Sequence, residues 1–111
     1  MAQILSISFD LDLLRTRELL LRRMGHSVIS AEGFAEVFRV YERHNRRFDL
    51  IILGHSIPPE DKRLIIDFLK DHSCPVLALL RPYEEPVENA TRSIVAEDPG
   101  ALLAAVEELV G

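Results

Sequence analysis

The sequence contains one cysteine, Cys74, and no tryptophan. A single thiol cannot form an intrachain disulfide, and such cysteine usage is typical of proteins in a reducing compartment. No apolar run approaches the roughly 20 residues that a membrane-spanning helix needs. The N-terminus also lacks the basic segment, apolar core and cleavage site of a secretory signal. We therefore expect a cytoplasmic protein that does not associate with membranes.

Motifs for common catalytic chemistry are missing too. There is no G-x-G-x-x-G or Walker-type loop to bind phosphates, and no G-x-S-x-G nucleophile elbow. His55 and Ser56 are adjacent, but neighbours in sequence rarely reach nucleophile–base geometry. His72 and Cys74 lack the second pair of ligands that a zinc site requires. We expect no enzymatic activity, no bound metal and no cofactor.

The charge is negative overall and unevenly distributed. The 111 residues carry 13 Lys and Arg against 18 Asp and Glu, a net charge of −5, which argues against nucleic-acid binding. Residues 1–48 hold eight Arg and six acids (+2), whereas residues 49–111 hold five basic and twelve acidic residues (−7). This asymmetry could orient a partner during encounter. Solvated helix faces explain it equally well and are the favoured interpretation.

Short apolar segments alternate with amphipathic ones. Predicted strands span residues 4–9, 28–31, 48–53, 76–80 and 93–95, and predicted helices span 13–24, 34–44, 60–71 and 99–110. Asp10 or Asp12 is expected to cap the first helix, Gly25 to end it, and Asp98 to cap the last. Such alternation predicts right-handed βαβ crossovers and a parallel sheet with helices on both faces.

Two further features concern the second half of the chain. In the third helix, we expect the apolar stripe of Leu64, Ile65, Phe68 and Leu69 to face inward. Residues 81–92 contain two prolines and several acids, so they favour a loop over a full helix.

The chain resembles the receiver domain of two-component response regulators, the CheY-like superfamily, over essentially its whole length. The resemblance rests on Phe48 to Pro58, an apolar run after an aspartate with a proline beyond it, and on three shorter matches: Ile4–Leu5, Gly25–Val28 and Cys74–Leu79. It implies one domain over residues 1–111 with a three-layer flavodoxin-like fold. The five parallel strands would follow the order 2-1-3-4-5, with the fourth helix shortened or absent.

At the positions that receivers use for phosphoryl transfer, this sequence has residues of a different chemical type. The phosphoacceptor position aligns with Gly54, the Mg²⁺-binding acidic pair with Ser8 and Phe9, and the Thr/Ser position after the fourth strand with Leu80. Receivers also carry a lysine after the fifth strand, whereas the last lysine here is Lys70. Phosphoryl transfer depends on positioning and on neutralisation of charge by metal and cation, so these losses reinforce one another.

Two functional hypotheses follow. The first is a stand-alone pseudo-receiver in bacterial two-component signalling that acts as a phosphorylation-independent protein-interaction module. Its partner would be a signalling protein, with homodimerisation through residues 81–92 and the last helix as one form. The alternative is a small-ligand sensor that uses the crevice at the carboxyl ends of the strands. That crevice would be lined by Phe9, Gly54, His55, Leu80 and Arg81.

Asp10 and His55 each have two interpretations. Asp10 could belong to the crevice or to a displaced acidic pair, but its place before a helix favours a cap. His55 could bind phosphate or take up a proton, but a plain turn residue is the favoured interpretation.

Overall fold

Strands and helices alternate in the computed structural model, which describes residues 2–43, 47–69, 74–95 and 99–110. The strands are β1 (Gln3–Ser8), β2 (Ser27–Glu32), β3 (Leu50–Leu53), β4 (Val76–Leu80) and β5 (Arg92–Val95). The helices are α1 (Leu11–Arg23), α2 (Gly33–Arg43), α3 (Pro59–Leu69) and α4 (Pro99–Val110). All strand pairs are parallel, and the sheet order is β2-β1-β3-β4-β5. The predicted flavodoxin-like topology is confirmed.

Both faces of the sheet are buried, which explains the continuous apolar run of β3. Leu5 and Ile51 pack on one face with residues of α2 and α3. Ile4 and Ile52 pack on the other face with residues of α1 and α4. Successive side chains of a strand point to opposite faces, so every residue of β3 enters one of the two cores.

The ends of α1 follow the sequence prediction. Asp10 is the N-cap, and its Oδ1 accepts hydrogen bonds from the backbone N–H groups of Asp12 (2.9 Å) and Leu13 (3.1 Å). Gly25 follows the C-cap with a φ of +91°, a conformation that glycine adopts without a Cβ penalty. The cap interpretation of Asp10 is therefore confirmed, and the Asp12 alternative was wrong.

The inward face predicted for α3 was partly wrong. Leu64 is 56% exposed and Phe68 is 37% exposed, whereas Lys62 and Ile66 are buried beside Ile65 and Leu69. Apolar residues at 64, 65, 66, 68 and 69 allow more than one helix phase. The phase adopted places Lys62 inward, where it meets an acidic partner.

Strand β3 begins later than predicted. Asp49 lies before it at the amino edge of the sheet, where Oδ2 accepts a hydrogen bond from the backbone N–H of Gln3 at 2.8 Å. Residues 81–91 form a loop without a helix, as the sequence predicted. The predictions that fall on His44, Asp71, His72 and Asp98 lie outside the described residues. Within the described ranges, no helix is long and apolar enough to cross a membrane.

Candidate functional site

The carboxyl ends of β1, β3 and β4 meet at one edge of the sheet. Ile7 is in register with Leu53, and Leu53 is in register with Ala78. Ser8 and Gly54, each one residue further along its strand, therefore come close together. This edge is where open α/β sheets bind ligands.

Ser8 joins β1 to the loop before α3. It is fully buried, and its Oγ lies 2.7 Å from Oγ of Ser56. The backbone N–H of Phe9 donates to Ser56 Oγ at 3.0 Å, and the N–H of Asp10 donates to Ser8 Oγ at 3.0 Å. The two hydroxyls thus satisfy the backbone N–H groups where β1 turns into α1.

Gly54 lies against the guanidinium of Arg17, a residue of α1. A Cβ at position 54 would be 2.6 Å from Arg17 Nη1, 3.0 Å from the carbonyl oxygen of Ile7 and 3.3 Å from Ser8 Cβ. Arg17 is only 6% exposed. The guanidinium of Arg17 therefore lies where a Cβ at position 54 would be placed, so a side chain there would require Arg17 to shift.

The environment of Arg17 is electrostatically unusual. Burial lowers the pKa of Arg17, and the carboxylate of Asp10 partly opposes that shift. Arg17 Nη2 lies 3.0 Å from His55 Nδ1. Nη1 is buried, and no hydrogen-bond acceptor for it lies among the described residues.

His55 is the acceptor for this guanidinium. Because arginine can only donate, Nδ1 must accept, and the neutral ring carries its proton on Nε2. Burial, followed by the positive charges of Arg17, Lys62 and Arg81, lowers the pKa of His55, while Asp10 opposes the shift. The ring is therefore neutral at pH 7.

A second ionic cluster fixes the loop after β4. Lys62 is fully buried, and its Nζ donates to both carboxylate oxygens of Glu84, at 2.9 and 2.7 Å. Arg81 donates from Nε to the carbonyl oxygen of His55 (2.8 Å) and from Nη2 to that of Ser56 (2.9 Å). Its backbone N–H donates to Glu84 Oε1 at 2.9 Å. The loops after β3 and β4 are thus held together by charge-assisted bonds.

The remaining positions of the predicted crevice have structural roles in the described fold. Phe9 packs on the core beneath α2 and α3, and its ring meets Phe34 edge-on with centroids 6.0 Å apart. Leu80 is 5% exposed. Asp10 caps α1. His55 and Arg81 are joined directly, because Arg81 Nε donates to the carbonyl oxygen of His55.

Arg17, Lys62 and Glu84 were missed at the sequence level. A usable pattern was present, because Arg17 lies three residues after Leu14 and four before Leu21, both buried. Lys62 likewise precedes Ile65 and Ile66 by three and four residues. A basic residue in phase with a buried helical stripe indicates an internal charge that needs a partner.

Metal ligands are not brought together in the part of the chain that the structure describes. No group of three or more His, Cys, Asp or Glu side chains there could hold an ion. Burial, with the carboxylate of Asp49 adding to it, raises the pKa of Cys74 to about 12. A thiol that stays protonated is a poor zinc ligand.

The sequence matches no protein-family model and no curated protein. Solved structures do match. A response-regulator receiver protein from Burkholderia phymatum superposes with a TM-score of 0.83 at 18% identity, over 100% of this chain and 96% of that one. The chemotaxis protein CheY4 of Vibrio cholerae gives 0.77 at 21% identity, over 98% of each chain. A chain from the complex of histidine kinase ThkA with response regulator TrrA gives 0.78 at 19% identity, over 100% of both chains. The fold is that of the receiver domains of two-component systems.

Proposed function

We propose that this chain is a pseudo-receiver, a phosphorylation-independent protein-interaction module of bacterial two-component signalling. The observation that carries the proposal is the position of Arg17, whose Nη1 would lie 2.6 Å from a Cβ at position 54. The resemblance assigns that position to the phosphoacceptor. A guanidinium there has neither the nucleophilic oxygen nor the negative charge that phosphoryl transfer from a Mg²⁺ site requires.

The neighbouring residues support the same conclusion. Ser8 Oγ is committed to Ser56 and to the N–H of Asp10, and Phe9 contributes an apolar ring to the core. Leu80 offers no hydroxyl to a phosphoryl oxygen. Mg²⁺ prefers several well-placed oxygen ligands, and these positions supply few.

The test is incubation with acetyl phosphate and Mg²⁺, followed by intact-mass measurement, with an active receiver domain as the positive control. We expect no added phosphoryl group. A stoichiometric adduct that hydroxylamine removes would be an acyl phosphate and would overturn the proposal. Asp10 and Asp49 would then be the positions to map, although Asp49 lies at the opposite edge of the sheet and binds Gln3.

The ligand-sensor alternative has less support. Its crevice would open beside Gly54, but Arg17 takes up that space and Arg81 is bonded to the loop that would form one wall. An interaction role in the cytoplasm suits a fold whose solved examples include a complex with a histidine kinase. The partner would bind the conformation in which Arg17, Lys62 and Arg81 make the hydrogen bonds described above.

A further inference from the structure

The loop of residues 81–91 presents one aromatic side chain entirely to solvent. Tyr83 is 104% exposed, and its φ is +68°, in the left-handed region that non-glycine residues seldom adopt. The left-handed backbone costs conformational energy, and the exposed ring leaves apolar surface in water. Within the described fold, neither cost is offset by packing of the ring.

The backbone that carries this ring is held in place. Its neighbour Glu84 is bonded through both carboxylate oxygens to the buried Nζ of Lys62. Arg81, two residues earlier, is bonded to the carbonyls of His55 and Ser56. A side chain presented from a fixed backbone loses little freedom on binding, which is the advantage of preorganisation.

A cavity opens beside the same loop. It has a volume of about 250 Å³, below the roughly 300 Å³ at which small-molecule pockets begin. Its lining is mixed: two prolines and a valine provide apolar surface, and an arginine and two glutamates provide charged groups. The residues that line it are Pro59, Arg63, Glu84, Glu85, Pro86 and Val87. It suits a single aromatic side chain better than a separate ligand.

We propose that two copies of this chain associate about a two-fold axis, with Tyr83 of each copy inserted in the cavity of the other. A two-fold interface is self-complementary, so a protruding group and its receptor must lie on one surface, as they do here. The charges also suit self-association, because Arg63 and Glu85 both line the cavity and a two-fold axis can set each of them opposite the unlike charge of the other copy. This inference rests on the proposed interaction function and specifies one contact of that module.

The first measurement is sedimentation velocity from micromolar to millimolar concentration. We expect a reversible, concentration-dependent dimer. Tyr83→Ala removes two anchors per dimer and should raise the dissociation constant by at least about a hundredfold. Tyr83→Phe keeps the ring and should dimerise nearly as well as the wild type.

Charge exchange provides a second test that does not alter Tyr83. Arg63→Glu and Glu85→Arg should each weaken the dimer, and the double variant should recover it. Arg39→Glu, the same charge change on an exposed position of α2, is the matched control and should have no effect.

Tyrosine fluorescence shows whether the ring of Tyr83 becomes shielded from solvent when the dimer forms. The chain has no tryptophan and its other tyrosine, Tyr41, is 3% exposed, so acrylamide quenching reports mainly on Tyr83. Quenching should fall as the dimer forms. A monomer at every concentration, a dimer indifferent to Tyr83→Ala, or protection of the ring without association would each overturn the proposal. An unphosphorylated monomer would leave the pseudo-receiver proposal standing, so the two failures are distinguishable.

Discussion

The buried guanidinium of Arg17 and the missing side chain of Gly54 are structurally coupled. A buried guanidinium is costly unless it is paired and hydrogen-bonded. Here the acceptor is His55 Nδ1, and the carboxylate of Asp10 contributes from the edge. The guanidinium fits because residue 54 has no side chain. Position 54 does not need glycine for its backbone angles, since only Gly25 and Gly33 have a positive φ among the described glycines.

Gly54→Ala should therefore destabilise the fold by roughly 1–3 kcal/mol, the usual cost of overpacking. The new methyl group would press on Arg17 Nη1 and on the carbonyl of Ile7. Urea unfolding of Gly54→Ala, Arg17→Ala and the double variant forms a double-mutant cycle. We expect the double variant to be more stable than the sum of the singles predicts, by about 1 kcal/mol.

The control is a second cycle that uses Arg23→Ala in place of Arg17→Ala, because Arg23 is an exposed arginine of the same helix. Arg23→Ala should combine additively with Gly54→Ala. Additivity in the Arg17 cycle as well would mean that the guanidinium does not occupy the space beside position 54.

His55 should make stability depend on pH in a defined direction. Burial and the charges of Arg17, Lys62 and Arg81 lower its pKa in the folded state, against the opposing effect of Asp10. The unfolded chain then binds the proton more readily. The contribution of His55 to the free energy of unfolding is therefore complete above about pH 6.5, the ordinary pKa of histidine. This contribution is lost as the pH falls from about 6.5 through the lower pKa of the folded state.

NMR titration of the ring resonances checks this expectation, with His55→Gln to assign the signals. The His55 midpoint should lie below about 6.5. Stability of the wild type should also fall more steeply than that of His55→Gln between pH 6.5 and 5. A midpoint above the ordinary value would show that Asp10 outweighs the three cations.

At the scale of elements, the connection from β4 to β5 is held by an ion pair with α3. Lys62 is fully buried and the side chain of Glu84 is 7% exposed. Burial lowers the pKa of Lys62, and its bond to Glu84 opposes that shift. Such a pair contributes modest net stability, yet removing one partner leaves the other charge buried.

We expect Lys62→Met to cost roughly 3 kcal/mol, and Glu84→Gln a similar amount. The double variant should recover most of that loss, because the methionine fills the space and the amide oxygen still accepts from the N–H of Arg81. Thermal and urea unfolding measure the three variants. Two independent, additive losses would mean that the residues do not act as a pair.

The same helix shows how far the sequence could predict the structure. The existence of α3 follows from its composition, and Pro59 and the polar turn before it set its start. The buried face was wrong for Leu64 and Phe68, because several phases bury a similar number of apolar residues. The structure favours the phase in which Lys62 reaches Glu84, and Phe68 instead packs against Phe38 with ring centroids 4.4 Å apart. That contact depends on a neighbouring helix, which local periodicity does not describe.

For the whole molecule, the alternation of elements was sufficient to predict a parallel sheet with helices on both faces, whereas the strand order came from the resemblance to receivers. The resemblance to receivers located the edge of the sheet where the site lies. It also pointed to Ser8, Phe9, Gly54 and Leu80 as the positions to inspect at that edge. It could not identify Arg17. Arg17 reaches Gly54 across 37 positions of sequence, and only the packing of α1 on the sheet brings them together.

The site as a whole should therefore not respond to Mg²⁺. The resemblance implies that receivers have several carboxylates at this edge of the sheet. In this structure three cations, Arg17, Lys62 and Arg81, surround His55, and the nearby acids are Asp10 and Glu84. Millimolar Mg²⁺ should leave the melting temperature of the wild type nearly unchanged, with NaCl of equal ionic strength as the control. An aspartate at position 54 alone should not restore phosphoryl incorporation, because its carboxylate would pair with Arg17.

The decisive comparison restores the receiver residues with and without Arg17. Ser8→Asp, Phe9→Asp, Gly54→Asp and Leu80→Thr together introduce oxygen ligands at the positions that the resemblance assigns to a receiver site, but the guanidinium of Arg17 would still neutralise and displace them. We expect this quadruple variant to remain insensitive to Mg²⁺. Adding Arg17→Gln removes the charge and should create a Mg²⁺-dependent fold. At ten times the dissociation constant, linkage gives about 1.4 kcal/mol, or roughly 5 °C in melting temperature. A Mg²⁺ response of equal size in both variants would mean that the missing oxygen ligands, and not Arg17, are what excludes the metal from this site.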